Sequence, residues 1–123
     1  MLKNLLLVAS GGAVGSALRY LTSIWVGRCW PMATFPWATL AANVLGCLLI
    51  GLFTAKWPGH DSLRLLLVTG FCGGYTTFST FSLESLSLWT QQQYGAAIVY
   101  SLLSIVLGAA AVWAGNYLAH AAG

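Results

Sequence analysis

The densest group of residues able to do chemistry in this chain is Gly70-Phe71-Cys72-Gly73-Gly74-Tyr75-Thr76-Thr77-Phe78-Ser79-Thr80-Phe81-Ser82. Paired glycines followed by the β-branched Thr76 and Thr77 are poor helix material. A helix that breaks inside a long apolar segment frees carbonyl oxygens, and freed carbonyls are ligands for cations. Two copies of the chain meeting at such a break would supply enough oxygens for a small cation such as Na⁺ with no carboxylate. The plainer reading is a glycine packing notch whose hydroxyls bond back to the preceding turn. On a resumed helix Phe78 and Phe81, three apart, share a face beside Thr77, Ser79, Thr80 and Ser82. An aromatic ring is negative on its face and positive at its edge. Ring edges and hydroxyls can therefore coordinate an anion without a fixed cation to trap it, although two phenylalanines at this spacing also serve as bundle packing.

Other polar residues stand alone in apolar runs. Thr39 and Asn43 lie one turn apart with Gly46 on roughly the same face, and an Asn at membrane depth must be bonded or hydrated. Its amide can donate to a small anion or glue two helices together. Tyr100 and Ser104 stand at i and i+4, and Gly108 leaves a gap in the track they begin. Arg19 lies about 21 Å along a regular helix from Leu5, where it can snorkel to an interface or an aqueous vestibule. Glu84 ends its apolar segment and is one of only two acids in the chain, so no carboxylate pair is available within one membrane site. His60 and His120 are isolated. Cys29, Cys47 and Cys72 lack the spacing of a disulfide framework or a zinc site and read as packing residues.

The elements that carry these residues are apolar helices. Only 6% of the 123 residues are charged and 59% are hydrophobic, with a mean hydropathy of +0.80, against about 25% charge in soluble domains. A membrane-spanning helix needs about 20 apolar residues, which predicts a single all-α transmembrane domain over 1–123 with spans at about 3–27, 35–56, 63–88 and 94–119. Pro31 and Pro36, the stretch Trp57-Pro58-Gly59-His60-Asp61, and Gln91-Gln92-Gln93 punctuate them. Short loops predict an up-down-up-down path. Gly11 with Gly15, and Gly70 with Gly74, have the small-xxx-small spacing of close helix packing. Lys3, Lys56 and Arg64 on one side face Arg28 and Arg19 on the other, a weak positive-inside instruction. The chain therefore either inserts in one weakly directed topology or inserts both ways and pairs as an antiparallel dimer. No room remains for a soluble catalytic or nucleotide-binding domain, and the scattered basic residues form no nucleic-acid patch.

The run Gly73-Gly74-Tyr75-Thr76-Thr77-Phe78-Ser79-Thr80-Phe81-Ser82 resembles the G-G-x-[ST]-T-F-S-T-F signature of the Fluc (CrcB-type) fluoride channels. The resemblance extends to Gly11-Gly12-Ala13-Val14-Gly15, Leu18-Arg19-Tyr20, Thr39 with Asn43-Val44-Leu45-Gly46 and Gly51, and Tyr100 with Ser104. It implies a bacterial inner-membrane, multi-pass channel that exports F⁻ passively and lowers its toxicity. It further implies a dual-topology antiparallel homodimer whose third helix is broken. The carbonyls of Gly73 and Thr76 from both subunits would hold a structural Na⁺ that is not transported. Asn43, Phe78, Phe81, Tyr100, Ser104, Thr39, Thr77, Ser79 and Thr80 would line the fluoride path, with Arg19 in a vestibule and Glu84 near the opposite end. Two departures stand out. Tyr75 occupies a position commonly Leu, which changes packing, and Gly108 stands where a hydroxyl commonly continues the track.

Such a lining suits fluoride, because a small anion needs several short donors to offset its desolvation and no tight site that prevents release. HF crosses membranes neutral and dissociates inside, so an inside-negative potential drives F⁻ outward with no coupling ion. A proton-coupled fluoride antiporter would need a titratable group in the path, for which Glu84 is the candidate. A small multidrug-resistance transporter depends on an acid in its first helix, and this one has none. An inert scaffold would leave the Asn, Phe and hydroxyl sets without a task. No nucleophile, base and orienting group converge as an enzyme requires.

Overall fold

The computed structural model describes every residue except Met32, Ala33, Thr34, Pro58, His60 and Gly123. All regular structure among the described residues is helical. The reading of His60 lies outside the described residues.

Helix α1 is Leu2–Cys29 and α2 is Trp37–Lys56. The third apolar segment is split. Its first half, α3 (residues 61–75), runs through Asp61–Arg64, a π-wound stretch Leu65–Cys72 and the turn Gly73–Tyr75. Its second half, α4, is Phe78–Thr90, and the chain closes with α5, Tyr94–Ala122. Three unbroken helices, α1, α2 and Tyr94–Ala121 of α5, are long and apolar enough to cross a membrane. The split segment has no unbroken helix of that length.

Burial is inverted relative to a water-soluble protein. In α1 the buried residues are Gly11, Gly15 and Val26, while Leu2, Leu5, Leu6, Leu21 and Trp25 are exposed. A helix apolar all round that hides its glycines and shows its leucines is built for a lipid surround. Gly11 and Gly15 back onto the Leu66 and Phe71 carbonyls, and a Cβ on Gly74 would stand 2.6 Å from the Gly12 carbonyl oxygen. The two small-xxx-small pairs thus face each other and bring α1 and α3 into backbone contact. The same device joins α2 to α5, where Gly51 abuts the Val112 carbonyl and Gly115 the Leu48 carbonyl.

The interruption falls at Thr76 and Thr77, whose backbone is extended, with φ −84°, ψ 155° and φ −150°, ψ 119°. Gly73 and Gly74 remain helical, with α1 packed on Gly74. Thr77 restarts the helix as an N-cap, its hydroxyl oxygen accepting from the Thr80 amide at 3.2 Å. Gln92 (φ 62°) reverses the chain between α4 and α5, and the Gln93 amide bonds back to the Leu88 carbonyl at 2.9 Å. This turn lays α4 against α5 around a cluster of Leu40, Leu88, Ala97 and Tyr100.

Two readings of individual residues change. Glu84 lies midway along α4 rather than at a span end, because the helix runs on through Ser85 to Thr90. Of the cysteines, Cys72 is buried and Cys47 half-buried, but Cys29 is exposed in the last turn of α1.

Candidate functional site: the interrupted third segment

The break is held from both sides. From α2, the Asn43 amide pairs with both backbone polar groups of Thr77: the Thr77 amide donates to Oδ1 at 2.8 Å, and Nδ2 donates to the Thr77 carbonyl at 3.2 Å. Asn fits because it offers donor and acceptor in one plane, and the extended Thr77 has lost its helical partners for both. Among the described residues, no partner takes the second Nδ2 hydrogen. Gly46, one turn further along α2, makes room for the Thr76 methyl group. From α1, Arg19 Nε donates to the Gly74 carbonyl at 3.2 Å. The Thr76 hydroxyl bonds back to the Cys72 carbonyl at 2.8 Å.

Two cavities open beside Thr77. One, of about 290 Å³, is lined by Asn43, Cys47, Thr76, Thr77, Phe78, Phe81, Ser104, Gly108 and two isoleucines. Among the described residues the buried hydroxyl of Ser104 has no partner, and a Cβ on Gly108 would meet nothing nearer than the Cys47 sulfur at 3.6 Å. The other, of about 150 Å³, is lined by Arg19, Tyr20, Ser23, Ala38, Thr39, Thr77, Thr80 and Glu84. It sets one cation and one carboxylate around three threonines. The Thr77 hydroxyl donates to Thr80 Oγ1 at 3.1 Å, which leaves the proton of Thr80 free to point into this space.

Of the residues read from the sequence, the structure gathers Asn43, Thr77, Phe78, Phe81 and Ser104 around the first cavity and Thr39, Thr77, Thr80, Arg19 and Glu84 around the second. Phe78 is 79% exposed, with its ring centroid 5.8 Å from that of Phe81. Phe81 leans on Tyr100 at 5.0 Å. Tyr100 reaches neither cavity. It is fully buried, and its hydroxyl donates to Glu84 Oε1 at 3.2 Å. Ser79 is exposed outside both cavities, 3.3 Å from the Thr77 hydroxyl. Sequence reasoning missed Cys47 and the isoleucines Ile50 and Ile105 as wall residues; as ordinary members of apolar runs they carry no local signal. It also missed that Arg19 holds a backbone carbonyl.

The profile of the CrcB-like proteins, a family also described as camphor resistance, matches residues 6–116. The chain belongs to the CrcB family. Its relatives in the family include the fluoride-specific ion channel FluC of Rhizobium etli, 51% identical over 114 residues that cover 89% of this chain and 90% of the relative. FluC of Phocaeicola vulgatus is 45% identical over 95% of this chain and 98% of its own length. FluC of Flavobacterium psychrophilum is 43% identical over 96% and 98%. The CrcB match includes both helices that hold the break, all of α3 and α4, and the cavity-lining part of α5.

Proposed function

We propose that this CrcB protein is a fluoride channel that lets F⁻ leave the cytoplasm passively, in the inner membrane of a bacterium, and so lowers fluoride toxicity. The observation that carries this is the cavity beside the break: Asn43 with a spare amide hydrogen, Ser104 with an unpartnered hydroxyl, and Phe78 and Phe81, with no charged group on the wall. Neutral donors and ring edges can replace the hydration of a small anion and still release it. The relatives at 43–51% identity are named for fluoride conduction.

The working unit is an antiparallel dual-topology homodimer with four spans per subunit, the split α3 and α4 together making the third. The exposed Phe78 and the weak charge bias favour a second copy against the break. Gly73 and Thr76 would hold Na⁺ through their carbonyls. Their fit is chemical: among the described residues no hydrogen bond reaches either oxygen, while the Gly74 carbonyl between them is taken by Arg19 and the Cys72 carbonyl by Thr76. Neutral carbonyls of an unwound segment are the ligand class that Na⁺ takes. The bound ion would tie two breaks together and place positive charge near the anion path. Arg19 and Glu84 border a vestibule continuous with Thr77, and Thr39 and Thr80 supply its hydroxyls.

The test is anion release from proteoliposomes loaded with K⁺ salts, started with valinomycin at equal pH on both sides. Release of F⁻ with negligible release of Cl⁻ is expected. Release that requires a proton gradient would instead assign a coupled antiporter, with Glu84 as the titrating group.

A further inference from the structure

A pair of side chains on the far side of the break has no part in either cavity. The Tyr75 phenol lies 2.8 Å from Thr22 Oγ1, and Thr22 itself donates to the Leu18 carbonyl at 2.9 Å. A hydroxyl has one proton, so Thr22 accepts and Tyr75 donates. The relay Tyr75 to Thr22 to Leu18 therefore runs in one direction. Tyr75 is 5% exposed and stacks on Phe71 with ring planes 3° apart. Thr22 stands three residues beyond Arg19 on the same face of α1, and Arg19 holds the Gly74 carbonyl. Consecutive residues at the end of α3 are thus gripped by consecutive turns of α1, Gly74 through its backbone and Tyr75 through its side chain. The next residue, Thr76, leaves the helix.

Resting on the cation reading above, we infer that Tyr75 and Thr22 are positioning residues that set the direction of the Thr76 carbonyl toward Na⁺. The Thr76 amide still bonds to the Cys72 carbonyl at 2.9 Å, but the Thr76–Thr77 peptide that carries the Thr76 carbonyl has no helical hydrogen bond to orient it. Its direction is set on one side by the end of α3, where the Tyr75 phenol fixes the chain to α1 just before Thr76, and on the other by Thr77, which Asn43 fixes to α2. Loosening the phenol lets the Thr76 carbonyl swing while Asn43, Phe78, Phe81 and Ser104 of the cavity stay in place.

The experiment compares wild type with Tyr75→Phe, Thr22→Val, Thr22→Ser and the double variant Tyr75→Phe/Thr22→Val. Two quantities are read: the Na⁺ concentration giving half of the Na⁺-dependent rise in melting temperature, with N-methyl-D-glucamine as the replacement cation, and F⁻ efflux. The half-effect concentration is expected to rise about fivefold in Tyr75→Phe, which orphans no group, and more in Thr22→Val, which leaves the phenol unpaired. Thr22→Ser keeps the acceptor and stays at the wild-type value. The double variant is no worse than Thr22→Val, because the two hydroxyls act through one bond. Efflux at saturating Na⁺ stays within about twofold throughout, as befits residues outside the path. Unchanged half-effect concentrations in both single variants, or effects that add in the double variant, overturn the inference. A wild-type protein indifferent to Na⁺ overturns the cation reading itself, which separates the two failures.

Discussion

At Gly74 a methyl group would stand 2.6 Å from the Gly12 carbonyl oxygen, whereas at Gly108 the nearest atom it would meet is the Cys47 sulfur at 3.6 Å. These two glycines mark the two halves of the molecule. Between α1 and α3, absence of side chains at Gly11, Gly15, Gly70 and Gly74 lets backbones touch. Between α2, α4 and α5, absence of a side chain leaves space, and Asn43, Ser104 and two phenylalanines border it. The difference teaches how a chain this short conducts. One seam is closed by main chain so that the neighbouring helix can stay broken, and the other is held open by the amide that grips the break.

The largest effect is expected where the closed seam is forced apart. Gly74→Ala drives Cβ into backbone that cannot rotate away and should destabilise the protein by roughly 1–3 kcal/mol. Thermal unfolding in detergent measures this, beside Gly108→Ala, which should change stability by less than about 1 kcal/mol and leave F⁻ efflux intact. Equal sensitivity at the two glycines would erase the contrast.

Asn43→Asp comes next. The carboxylate still accepts from the Thr77 amide but faces the Thr77 carbonyl without a donor, and it places negative charge on the anion cavity. The lost bond should cost about 1–3 kcal/mol locally, and F⁻ efflux should fall by tenfold or more, about 1.4 kcal/mol per decade. Flux assays on protein that still elutes as wild type decide this.

The phenylalanines sharpen the comparison further. Phe78→Ile should stop F⁻ efflux at little cost to the fold of its own subunit, because Phe78 is 79% exposed there. Phe81→Ile should stop efflux and also cost about 0.5–1.5 kcal/mol, since its ring packs on Tyr100. Folded, conducting variants at both positions would remove the rings from the path.

The smallest effect is expected at Gly108→Ser. The open space admits a hydroxyl within reach of the cavity, extending the row begun by Ser104. Efflux should change by no more than a few-fold, about 0.8 kcal/mol for fourfold. A complete block would mean the gap beyond Gly108 is the conducting space itself.

Much of this was legible in the sequence, for physical reasons that differ by residue. Hydropathy alone marks the long helices, because a bilayer demands apolar length. The small-xxx-small glycines were legible as contacts, since helical spacing places Gly11 with Gly15 and Gly70 with Gly74 on single faces. The position of the break was legible only approximately. Gly73 and Gly74 look like the weak point, yet both stay helical with α1 packed on Gly74, and the backbone departs two residues later at Thr76 and Thr77, where α2 rather than α1 holds the chain through Gly46 and Asn43. The Tyr100 to Glu84 bond was not legible, because it depends on how the Gln91-Gln92-Gln93 turn folds α4 onto α5. Nor was the π winding of Leu65–Cys72, most of which is a run of ordinary apolar residues.

The most direct measurement is F⁻ and Cl⁻ release under valinomycin at equal pH, run on wild type and on Phe78→Ile protein of matched melting temperature. Fast F⁻ release from wild type, no Cl⁻ release and silence from Phe78→Ile are predicted. F⁻ release from Phe78→Ile at the wild-type rate would contradict a fluoride path through the cavity at the break.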